Sequence, residues 1–174
     1  MRTSCCLPLL MLAAGIAPGH AESLFETYFS KAAGGKPCYA RQYNAAHLAK
    51  NPKQRVGAIE LDFQPANPSG VLNTAKGFDL GVGVRRRGSA EWFTSSGFCT
   101  AQADRFDCGL EGDGGQFQLR PASGGRLRLE LTRDTMGFEG AKSFFEFGGK
   151  LSDDNVFLLS RADRKVCDAA RPAR

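Results

Sequence analysis

The sequence predicts a mainly β protein: one antiparallel up-and-down barrel, or a sandwich, of about eight strands, with a short amphipathic helix at its start. Three observations carry this reading. From Val56 onward apolar residues recur with period two, the pattern of strands that bury one face. Short runs rich in Gly, Asp and Pro separate the alternating segments. The 174 residues, 42% hydrophobic and 24% charged, suffice for one core and contain no internal repeat. Half-polar strands in this number hide their apolar face by closing on themselves or by folding over. The turns are short and sequential, which favours closure.

Arg2 precedes an apolar run from Leu7 to Ala17, and Gly19-His20-Ala21 places small residues where a signal peptidase cuts. Residues 1–21 are therefore expected to be a signal peptide, leaving residues 22–174 as a single domain exported to the periplasm or secreted. Cys5 and Cys6 precede the apolar run instead of following it, so they are not placed for lipoprotein acylation. No later stretch approaches the roughly 18 apolar residues of a membrane helix, so integral insertion is not expected.

Leu24, Phe25, Tyr28 and Phe29 recur at helical spacing until Gly34-Gly35, predicting a helix over residues 22–33 that covers a gap or a mouth of the sheet. Ile59, Leu61 and Phe63 alternate with Glu60, Asp62 and Gln64. Phe78, Leu80, Val82 and Val84 alternate with Asp79, Gly81, Gly83 and Arg85. Arg126 to Leu131 alternates without a break. Further strands are expected at 91–101, 105–111, 116–120, 143–147 and 155–161, with turns at 112–115 and 121–125 and a loop at 65–77.

Four cysteines remain after the leader, Cys38, Cys99, Cys108 and Cys167, an even number in a chain sent to an oxidising compartment. Their spacings are too wide for zinc ligands taken from one turn. If Gln102 to Arg105 turns a hairpin, Cys99 faces Cys108 at a non-hydrogen-bonded position, where Cα atoms come within disulfide range. Cys38 and Cys167 then tie the domain's ends together. The turns also propose registers: Leu110 opposite Phe117 and Cys108 opposite Leu119, then Leu119 opposite Leu127 and Phe117 opposite Leu129. All of these place apolar residues on one face.

His47-Leu48-Ala49 followed by Pro52, Gln54 and Val56, then Cys108 to Gly115, and Asp153-Asp154-Asn155-Val156-Phe157 running on to Cys167 resemble a group of uncharacterised exported proteins of proteobacteria. The resemblance covers most of residues 38–167. It implies export and one compact domain, and it brings no activity or functional residue. The lipocalin pattern is not met, since Ala90 stands where Gly would precede Trp92.

Composition narrows function further. The net charge of +5 is modest, and the basic residues are scattered apart from Arg85-Arg86-Arg87, with no aromatic interleaving of a nucleic-acid module. Nucleic acid is not expected as a partner, and no cofactor is expected. His47 is the one histidine outside the leader, so a histidine-dependent triad rests on it alone, and its place before Pro52 suits a surface or capping role. No G-x-S-x-G elbow occurs. Glu111 to Gly115 lacks the regular Asp spacing of a calcium loop and reads as a turn. Asp153-Asp154-Asn155 suits the satisfaction of backbone donors at a strand start. Gly81 and Gly83 suit close packing, and Phe144, Phe145 and Phe147 suit the core and the barrel edge.

Two functional readings remain. One is a non-catalytic binding or interaction protein of the envelope. The alternative is an envelope hydrolase using paired carboxylates. Counting outward along the strands places Arg55, Arg86, Arg133 and, if Phe157 and Leu159 face inward, Arg161 around one mouth, a geometry suited to an anionic or amphiphilic ligand.

Overall fold

Period-two alternation closes the sheet: with every second side chain apolar, eight strands roll up until one face is hidden. The computed structural model describes residues 24–140 and 143–170; the expected leader, 1–21, and the new terminus at Glu22 lie outside them. The strands are β1 (Cys38–Gln42), β2 (Val56–Phe63), β3 (Phe78–Arg86), β4 (Trp92–Ala101), β5 (Phe106–Leu110), β6 (Gln116–Ala122), β7 (Arg126–Leu131), β8 (Thr135–Glu139), β9 (Phe144–Gly148) and β10 (Val156–Ala162). Eight of them form a closed antiparallel barrel in the order β1-β10-β7-β6-β5-β4-β3-β2, and β8 pairs with β9 alone. Two short helices, α1 (Ala45–Lys50) and α2 (Arg164–Ala170), lie outside the wall. Among the described residues no helix is long and apolar enough to cross a membrane.

The interior is filled. Ile59, Leu61, Phe63, Leu80, Val82, Val84, Leu119, Leu127, Leu129, Phe157 and Leu159 point inward and are buried. Both ends are stopped as well. At one end, where β2 begins and β3 ends, the β8–β9 hairpin lays Met136, Phe138, Phe145 and Phe147 over the opening. Phe145 packs against Phe93 and Phe147 against Phe157, with ring centroids 5.4 and 5.8 Å apart. At the opposite end, a π-helical turn, Glu26–Ser30, followed by a 3-10 turn, Ala32–Gly35, inserts Phe25, Tyr28 and Phe29. The helix expected over 22–33 does cover a mouth, in a shorter and less regular form.

Both disulfides form as the sequence implies: Cys99–Cys108 across the β4–β5 hairpin, with Cα atoms 4.1 Å apart, and Cys38–Cys167 between β1 and α2. Gln102 N–H donates to Arg105 O, closing the expected turn. The next two registers differ from expectation by two residues. Cys108 faces Phe117 and Phe106 faces Leu119. Leu119 faces Leu129 and Phe117 faces Leu131. The first shift arises because Leu110 N–H already bonds Gly115 O, so the loop is Glu111 to Gly114. The second arises because Pro121 and Ala122 continue β6; Pro121 lies past the end of β5, where its missing N–H costs no ladder bond. A two-residue slip preserves parity, so every inward residue stays inward.

Two further corrections concern elements. The segment 143–147 is a strand, but of the hairpin cap; its expected place in the wall is taken by β1. Glu60 and Asp62, expected on a wet face, are buried under α2. Arg164 Nη1 lies 2.5 Å from Asp62 Oδ1. Gly83 on the neighbouring strand makes this fit, since a Cβ there would sit 2.2 Å from Glu60 Oε1 and 3.2 Å from Ala170 Cβ.

Candidate functional site

The expected arginine ring divides between the two ends. Arg86 and Arg133 lie exposed at the hairpin end, Arg86 at the end of β3 and Arg133 in the turn between β7 and β8. Arg55 is there too, but its parity is inverted. The β2–β3 register slips between Val56 and Ala58, and this bulge turns Val56 into the core and Arg55 out of it. The Arg55 guanidinium lies 5.4 Å from the ring centroid of Phe145, on the hairpin cap. Its backbone C=O accepts from Arg87 N–H, which brings Arg55 beside the Arg85-Arg86-Arg87 run. Arg85 in turn lies over Trp92 at 5.5 Å. The outcome is a set of exposed arginines on the rim of a capped end, not a ring around an open interior.

Arg161 has the expected parity but the opposite end. The strand β8, unseen in the sequence, adds one reversal of direction before β10. Arg161 therefore stands opposite Tyr39 at the plug end. Its Nε donates to Tyr39 Oη at 3.4 Å and its Nη2 to Thr27 O at 3.2 Å, while Tyr39 Oη donates to Tyr28 O at 2.9 Å. Burial pushes the Tyr39 hydroxyl's pKa up, against the opposing pull of Arg161. At this end the arginine clamps the plug.

Three places hold carboxylates that bear on a candidate site. Asp154 is buried at the foot of β10, where it accepts from the backbone N–H of Arg55 and Val56 and from the Ser152 hydroxyl. Burial outweighs these bonds and raises its pKa. It thus satisfies backbone donors at a strand start, as the Asx run suggested. Glu60 lies beside the Cys38–Cys167 bridge; sulfurs joined to each other offer no thiolate to a metal. The third group, Glu111, Asp113, Glu139 and Glu146, lines an outer groove of about 1030 Å³ together with Thr94, Ser96 and Phe144.

Three segments build that groove: the outer face of β4, the 111–114 loop and the outer face of the hairpin. Glu111 N–H bonds Ser96 O, and Gly137 N–H bonds Gly114 O, so the walls are fastened to one another. Phe144 is 62% exposed, with the tip of its ring in the space that a side chain at Gly137 would take. The sequence marked the 111–115 loop and Phe144 separately but gave no sign that β8 brings them together. All four groove carboxylates are exposed.

His47 sits at the start of α1. Its backbone N–H is capped by Asn44 Oδ1, its Nε2 lies 2.9 Å from Gln54 Oε1, and its ring stacks on Tyr43 at 4.5 Å. No acid stands among these partners, and the residue serves the α1 turn.

Comparison of the chain with protein-family models, with curated proteins and with solved structures finds no match. Function therefore rests on the geometry above.

Proposed function

We propose that this chain is an exported, non-catalytic binding protein of the cell envelope that holds an anionic ligand on the arginine-bearing rim of its capped end. The observation that carries this reading is that Arg55, Arg86 and Arg133 are all exposed at one end of the barrel, with Arg55 beside the Arg85-Arg86-Arg87 run, at a mouth whose interior is already filled. Exposed guanidinium groups on a rigid rim bind clustered phosphates or carboxylates through charge-assisted hydrogen bonds. The two disulfides fit work in an oxidising compartment.

Titrating vesicles rich in anionic lipid, and separately an acidic polysaccharide, against wild type and an Arg55→Ala, Arg86→Ala, Arg133→Ala variant tests the site. Wild type is expected to bind, with affinity falling as salt rises, because exposed charges are screened over about 10 Å at 0.1 M. The variant should lose that binding while keeping its fold. Unchanged affinity in the variant overturns the reading.

A further inference from the structure

We propose that the plug is the resident occupant of a second binding site: swinging out on Gly34-Gly35, it would vacate an apolar chamber for an anionic single-chain amphiphile whose head rests on Arg161 and Tyr39. This site is at the opposite end from the rim and does not depend on it.

The occupant already has ligand-like chemistry. Phe25, Tyr28 and Phe29 enter from one short segment, and Phe29 is surrounded by wall residues Phe78, Phe106, Phe63 and Tyr39 at centroid distances of 4.9, 5.0, 5.3 and 6.1 Å. A π turn running into a 3-10 turn has little stability of its own, so its order comes from docking. The plug shares no strand ladder with the barrel, and neither disulfide ties it down.

The hinge is built in. Gly34 and Gly35 both have positive φ, 69° and 81°, and nothing lies within 4 Å of where a Cβ on Gly34 would stand. Three residues after Gly35, Cys38 is fastened to Cys167, so the base of the hinge stays with the wall when the plug moves.

The gate carries the head-group chemistry. Arg161 and Tyr39 now donate to the carbonyl oxygens of Thr27 and Tyr28. These are neutral acceptors standing where a carboxylate or phosphate head would accept the same donors more strongly. Departure of the plug frees a guanidinium fork and a phenol hydroxyl at the lip of an aromatic chamber.

The test titrates dodecanoate, dodecyl phosphate and dodecanol, each below its aggregation threshold, while following backbone hydrogen exchange in the wild-type chain. The anionic probes are expected to bind at least about tenfold more tightly than dodecanol. Which of the two binds better identifies the head as carboxylate or phosphate. Binding should speed exchange in residues 24–35 and leave β2 and β3 protected. Phe29→Ala should tighten binding, since a weaker occupant raises the fraction of open sites. Arg161→Gln should erase the preference for an anionic head while alkyl binding persists. Binding without faster plug exchange overturns the proposal, as does absence of anion binding in wild type. If Phe29→Ala does not fold, the wild-type exchange result decides. The plug site is read by exchange in residues 24–35 and by Arg161→Gln, neither of which touches the rim, so binding without faster plug exchange leaves the rim reading standing.

Discussion

Leu129 and Arg128 are neighbours on β7 with opposite fates. Leu129 is fully buried against the inner wall, while Arg128 reaches along the outer face to Glu130 at 2.7 Å. Leu129→Ala should therefore cost about 2 to 5 kcal/mol in a denaturant melt. Arg128→Ala should stay within about 1 kcal/mol, because exposed ion pairs contribute little. Two aspartates show environment acting in opposite directions. Burial raises Asp154 above the ordinary aspartate value, and the hydrogen bond from Arg120 lowers Asp104 below it. The sign follows from proton binding: the raised Asp154 favours the native state in acid and loses that contribution as pH rises through its folded value. The lowered Asp104 contributes above the ordinary value and loses it as pH falls. Carboxyl NMR titration should give Asp154 the higher midpoint of the two.

The β8–β9 hairpin decides what the capped end is. Phe147 and Phe138 stack at 5.8 Å on its inner face, whereas Phe144 on the outer face is mostly exposed. Phe147→Ala should cost about 3 to 5 kcal/mol by opening a cavity over the barrel. Phe144→Ala should cost under about 1 kcal/mol, and thermal melts of the pair separate the two faces. The sequence showed β9 through its phenylalanines but hid β8, since Thr135-Met136-Gly137-Phe138-Glu139 offers only two apolar side chains next to a turn. β1 was hidden for a related reason. Cys38 faces outward yet is buried by its bridge to α2, so Cys38 and Tyr39 are buried in succession and alternation fails. Arg161 was misplaced by the hidden β8 alone, and Arg55 by a one-residue bulge that no local pattern announces.

For the whole molecule, the disulfides differ in reach. Cys38–Cys167 spans 129 residues and Cys99–Cys108 spans 9. In the chain-entropy model these stabilise by about 5 and about 2.5 kcal/mol. Replacing the first pair by alanine should lower the melting temperature more than replacing the second, and non-reducing peptide mapping should recover both pairs. The sequence by itself determined a mainly antiparallel β fold, barrel or sandwich, the inward faces of its central strands and both cysteine pairings, while closure into a barrel came from the tertiary structure. The features legible in the sequence follow from period-two alternation and hairpin geometry, which act between neighbours in the chain and survive a two-residue error in register. Only the tertiary structure decided which end each arginine occupies, which polar residues α2 buries and that both mouths are stopped. Those outcomes depend on a strand count, a bulge and the docking of segments far apart in sequence, and each is fixed by packing that no local window contains.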